Sequence, residues 1–338
     1  MRGLLTVLVL SVACGAPPPV IAPAGSASAP AAASSAPATA PSGSASVVPS
    51  GALGSLGPLA WRRVTDIPTP RSEVATAVAG GAVYVIGGFG GANVVQRYVK
   101  ESWETLARYP LRVDHATAAA AGSAVYVFGG NVDGVPTARA FRYDVPSDRW
   151  SEIAAMPDRR SQAAAVALGA KVYVFGGWDG LRLVTPTYEY DTATNGWRSV
   201  AAIPTARDHL GGAELDGRAC AVAGRQLSLT LNLAAFECYD PASDRWTALP
   251  PAPTARGGVG AATVGRRLVL VGGEQPAGTF REVEMYDAAT GSWRRLPDLP
   301  TPRHGLSVAA VGDTVYALTG GPTPGGSQIS VCEALALR

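Results

Sequence analysis

The 338-residue chain holds only three histidines, four cysteines and two lysines, Lys100 and Lys171, so its 28 basic side chains are almost all arginine. The formal net charge of +2 is close to neutral, and no lysine or arginine cluster follows one helix face. That argues against a nucleic-acid partner, whose phosphates call for a concentrated positive footprint. No nucleophile elbow, zinc signature, phosphate loop or dinucleotide fingerprint occurs, and no cofactor is expected. The apolar run Leu4 to Leu10 is too short to cross a bilayer, and no other segment is a transmembrane candidate.

What is present falls into three stretches. Residues 1 to 14 carry Arg2, the apolar run and Ser11-Val-Ala-Cys14, and read as a signal peptide. Its end resembles a bacterial lipobox, with Cys14 as the lipidated residue, although Ser11 stands where a leucine is usual. Residues 15 to 58 are nearly all Ala, Pro, Ser and Gly without a single charge, a composition that cannot bury enough apolar surface to fold. This stretch is expected to be a disordered tether, reaching at most about 130 Å if fully extended. The protein is therefore expected to be exported, periplasmic or at the cell surface, touching the outer membrane only through an N-terminal lipid.

Residues 59 to 338 repeat. A glycine closing an apolar run follows each of six tryptophans by 27 residues, from Trp61 and Gly88 to Trp293 and Gly320. A proline follows each of those tryptophans by seven residues, and an arginine by ten in five of the six. In one unit, Arg160 opens a small-residue run, Lys171-Val-Tyr-Val-Phe175 closes on two glycines, Thr187-Tyr-Glu-Tyr-Asp191 follows, and Trp197-Arg-Ser-Val200 ends the unit. Alternation, β-branched and aromatic content and the turn residues between the runs predict four strands, a to d. A period of 42 to 49 residues made of short strands predicts a radial β-repeat. Strand a, built of Ala, Gly, Ser and Thr, is expected at the crowded centre, and the tryptophan of strand d at the wide outer gap.

The Tyr-Val-Phe-Gly-Gly runs ending at Gly130 and Gly177, Tyr84-Val-Ile-Gly-Gly88, the Tyr-Asp pairs from Tyr143-Asp144 to Tyr286-Asp287, and a tryptophan seven residues after each of those tyrosines resemble the kelch repeat. The resemblance implies an all-β, six-bladed propeller. The last unit lacks a tryptophan strand and the first tryptophan lacks a preceding glycine doublet, so Ala60 to Val64 is expected to supply the outer strand of the last blade and close the ring.

In an antiparallel meander, the b–c loops and d–a connections share one face. The stretches containing the b–c loops vary from 15 to 22 residues, whereas the turns on the other face are uniform, so binding is expected on the b–c face. Exposed candidates there are Phe89, Asn93, Asn131, Asp133, Trp178, Asp179, Arg182, Arg225, Gln226, Glu274, Gln275 and Arg281. Trp178, outside the repeat register, beside Asp179 and Arg182, suits a sugar ring or a peptide anchor. Arg71, Arg160, Arg207, Arg256 and Arg303, with Arg112 one place early, either ring the channel mouth for an anion or tie blades together through backbone carbonyls.

His115, His209 and His304 fall in blades 2, 4 and 6. A metal site is read against on two grounds: His304 is one residue out of phase with the others, and alternate strands around a channel are expected to lie too far apart for a shared ion. Cys220 and Cys238 flank the fourth b–c loop symmetrically and are candidates for a cross-strand disulfide or for two buried thiols; Cys332 is left unpaired.

Two functions remain. One is a monomeric, non-catalytic module that binds a protein or carbohydrate. The other, implied by the kelch resemblance, is a carbohydrate-active enzyme similar to six-bladed sialic acid epimerases, using His115, His209 and Asp114 or Asp208 as acid and base. The seven-bladed copper oxidases are excluded by blade count and by the missing ligand set.

Overall fold

The computed structural model describes residues 59–337; the signal-peptide, tether and Cys14 expectations lie outside the described residues. All regular structure within that span is β. Six four-stranded antiparallel sheets cover residues 75–105, 117–153, 164–200, 211–248, 260–295 and 307–336, the last joined by Trp61–Arg63. They are blades 1 to 6. Two short ribbons, Asn131–Val132 with Val135–Pro136 and Glu274–Gln275 with Gly278–Thr279, extend the b–c loops of blades 2 and 5.

Closure is as expected. Trp61, Arg62 and Arg63 pair with Leu335, Ala334 and Glu333, and the Val64 N–H donates to Cys332 O at 3.0 Å. The two ends of the described chain thus build one sheet, which gives blade 6 the outer strand that the other five blades have.

The small residues of strand a are dictated by crowding. A Cβ added to Gly260 would lie 2.2 Å from Val308 Cγ2 in the next blade, and one on Gly212 would lie 2.7 Å from Ala164 Cβ. At the rim the gap is wide enough for tryptophan, and each indole N–H reaches back one blade. Trp61, Trp103, Trp150, Trp197, Trp246 and Trp293 donate at 2.8 to 3.0 Å to the carbonyls of Pro297, Thr65, Ala107, Ala154, Ala201 and Pro250. The fixed spacing of tryptophan therefore records a blade-to-blade bond at every outer gap.

The glycine doublets make the matching bond nearer the axis. The second glycine of each doublet donates its N–H to the residue opening the next blade, as in Gly130 to Arg160 O at 2.8 Å and Gly177 to Arg207 O at 2.8 Å. The first glycine leaves room for that carbonyl: a Cβ on Gly129 would sit 2.1 Å from Arg160 O, at a φ of +61°. Blades 4 and 6 depart from the doublet with Ala223 and Thr319, both left-handed at +56° and +52°. Thr319 turns the departure to use, because its hydroxyl bonds both the N–H and the carbonyl of Arg71.

Candidate functional site

The arginines that open the blades are not a ring of free cations. Arg71, Arg160, Arg207, Arg256 and Arg303 are 0 to 1% exposed, out of reach of an anion at the channel mouth. Each turns into its own blade, a correction also to the expectation that it would bridge two blades. Arg207 bonds Thr205 O at 2.8 Å, Ala221 O at 3.0 Å and Glu237 at 2.6 Å; Arg303 repeats the set with Thr301 O, Ala317 O and Glu333. Arg256 faces Glu284 at 3.1 Å, and Arg71 faces Gln96. Arg160 instead stacks 4.9 Å over Tyr188 and pairs with Asp158. Burial pulls Arg71 and Arg256 down to about 10, still charged at neutral pH. In blade 2 the buried place belongs to Val113, and the strand-c position that holds glutamate in blades 4, 5 and 6 is Phe141; Arg112, one place early, is exposed.

Two residues beyond each of these positions lies an inner belt: Glu73, His115, Gln162, His209, Gly258 and Gly305, all left-handed with φ from 51° to 69°. Each N–H donates to the carbonyl of the member before it, at 2.7 to 3.0 Å, and Glu73 donates to Gly305 to complete the circle. The belt constricts the channel, and its side chains meet over a cavity of about 90 Å³.

This circle brings two of the three histidines together, whereas His304 groups with Glu73 and Glu274. Although two blades apart, the His115 and His209 rings meet edge to face at 5.1 Å. His304 is out of phase as expected, yet its Nδ1 still lies 3.0 Å from Glu73 Oε1 and 3.5 Å from Glu274 Oε2. His115 and His209 are left-handed, where strand alternation does not apply, whereas His304 takes the bridged place that Asp114 and Asp208 hold in blades 2 and 4.

Every group in the cluster has a defined partner. His115 Nδ1 lies 2.7 Å from Asp114 and its Nε2 3.4 Å from Glu73; His209 Nδ1 lies 2.5 Å from Asp208, and its Nε2 2.8 Å from Arg225. Arg225 continues to Glu274 at 2.6 Å. Burial alone would raise the Glu73 carboxyl, but the charge of His115 and the bond from His304 outweigh it and hold Glu73 far below the carboxylate range. Burial would lower His115 and His304; Glu73 reverses that and raises both. For His209 burial prevails and lowers it.

Of the loop candidates, Asn131 and Glu274 are buried and Arg225 is mostly covered, because the residue after each glycine doublet pairs with a d–a connection and turns inward. Trp178 is half-buried against Ser161 through such a bridge. Asp179 caps the N–H groups of Leu181 and Arg182 at 2.8 and 2.9 Å, which presents both side chains to solvent. Cys220 and Cys238 are opposite in register and disulfide-bonded; Cys332 is buried and free. Glu73 escaped the sequence reading, though aligning the units places it in one column with His209, two residues beyond the blade-opening arginine.

Two family models match the chain: the "KLHDC2/KLHL20/DRC7 Kelch-repeats domain" over residues 98–252 and the "Kelch motif" over residues 255–300. No curated protein matches. Among solved structures, "Structure of YjhT" superposes with a TM-score of 0.70 at 16% identity, covering 80% of this chain and 95% of that one, a likeness that shows the fold. With the six tryptophan-to-glycine units and the closed ring of six blades, these matches place the chain in the family of kelch-repeat β-propellers.

Proposed function

We propose that the protein is an exported interaction module that docks a protein partner on the b–c face of its propeller. Kelch propellers generally bind other proteins. The observation that carries the choice of face is where large apolar side chains meet water. Val135, Leu181, Leu227 and Leu231 are 54, 87, 57 and 52% exposed, and all four sit on the b–c loops of the adjacent blades 2, 3 and 4. Exposed apolar groups gathered on one face, beside Trp178 and the 85% exposed Arg182, suit an apolar docking surface with a polar rim.

The enzyme reading draws on the Asp114–His115 and Asp208–His209 pairs. Size weighs against it, because the cavity between those imidazoles is about 90 Å³, whereas small-molecule pockets run from roughly 300 Å³ upward. Export rests on the N-terminal sequence, with Cys14 as the lipidated residue, and the Cys220–Cys238 disulfide suits an oxidising compartment.

A photo-crosslinking residue at position 181, with a control at exposed position 289 in the c–d turn of blade 5, tests the face in the source cells. A protein adduct from position 181 that falls at least tenfold in the Leu227→Asp, Leu231→Asp background is expected. Adducts from position 289 alone would place the interaction on the other face; an adduct from position 181 to a glycan would replace the protein partner with a carbohydrate.

A further inference from the structure

A cavity too small for a sugar has ample room for an ion and a water molecule, which takes up about 30 Å³. We propose that Glu73, His115 and His209 form a binding site for one divalent transition-metal ion of the zinc class at the mouth of the channel. Three groups opening blades 1, 2 and 4 offer ligand atoms within 4.8 Å of one another: a Glu73 carboxylate oxygen and one ring nitrogen from each histidine. Two ligands on a tetrahedral ion at about 2.1 Å lie about 3.4 Å apart. Glu73 Oε2 and His115 Nε2 already stand at 3.4 Å.

The arrangement behind those atoms is the stronger argument. Each ligand has its other polar atom held: His115 Nδ1 by Asp114 at 2.7 Å, His209 Nδ1 by Asp208 at 2.5 Å, and Glu73 Oε1 by His304 Nδ1 at 3.0 Å. A carboxylate on Nδ1 fixes the tautomer that leaves the Nε2 lone pair free and makes it more basic, which is how proteins orient imidazoles toward a metal. Asp114 and Asp208 occupy the same register in blades 2 and 4, each directly before its histidine. Two imidazoles and a carboxylate suit zinc and its neighbours in preference to calcium or magnesium, which take oxygen.

One cation already stands against a ligand atom: Arg225 donates to His209 Nε2 at 2.8 Å. Arg225 is tied on its far side to Glu274 and Asp208, so it has anchors to keep when an ion displaces it from His209. It therefore acts as a competitor, and removing it should strengthen metal binding.

Titration of the full chain with Zn²⁺ by calorimetry tests the site, with thermal unfolding in chelator to show that each variant is folded. One ion per chain is expected. Glu73→Gln, His115→Gln and His209→Gln should each weaken binding at least tenfold, Asp114→Asn by about 10–100-fold as an outer-shell change, and Arg225→Met should tighten it several-fold. Absence of binding at millimolar Zn²⁺, unchanged binding by folded His115→Gln, or weaker binding by folded Arg225→Met would overturn the proposal.

Discussion

Asn195, in the c–d turn of blade 3, accepts the backbone N–H of Ala154 in blade 2 on its Oδ1 at 2.9 Å, and Tyr190 donates its hydroxyl to the same oxygen at 2.8 Å. Asp148 does this for Ala107 and Tyr143, and Asp244 for Ala201 and Tyr239. The uniform length of these turns thus reflects a repeated tie between neighbouring blades.

Removing one such tie should be costly. Asn195 is left-handed at +53°, so Asn195→Ala loses two hydrogen bonds and places alanine in a disfavoured backbone region. A destabilisation of about 2–3 kcal/mol is expected, with Asn195→Asp near neutral because aspartate serves in blades 2 and 4. Urea unfolding of the two variants checks this; equal midpoints would remove the tie from the account.

The buried arginines supply a second test, since blade 2 already contains an apolar version of the pair in Val113 and Phe141. Arg207→Val alone leaves Glu237 buried without its partner and should cost about 3–5 kcal/mol. Adding Glu237→Phe should restore most of that loss. If the double variant is no more stable than the single one, the arginine's carbonyl bonds, rather than its charge pairing, are what blade 4 requires.

Ring closure can be measured by truncation. Deleting residues 1 to 56 removes none of the described residues and should leave thermal unfolding unchanged. Deleting residues 1 to 66 takes away Trp61–Arg63 and the indole bond to Pro297, exposing the Cys332–Ala336 strand, and should produce aggregation or a broadened transition. Matching melting curves for the two truncations would show that the closing strand is dispensable.

For the N-terminus, labelled palmitate should enter the wild-type chain in a bacterial host, whereas Cys14→Ala should remain unlabelled and extract without detergent. Label on the alanine variant would overturn the assignment of the lipid to Cys14.

The sequence alone determined the number of blades, their strand order and the closing strand, because each rests on a local rule repeated six times. Small residues mark the crowded inner strand, the tryptophan fills the outer gap, and the glycine 27 residues after each tryptophan bonds the next blade. It also contained the arginine positions, but not the direction of the guanidinium groups; that depends on glutamates about 30 residues downstream that only strand pairing brings alongside. The candidate site was decided entirely by tertiary structure. Glu73, His115 and His209 stand in one column of the repeat, yet no spacing along the chain states how tightly six left-handed residues close a circle. The radius of that circle, set by backbone hydrogen bonds between blades, turns three residues spread over 137 positions into a single cluster.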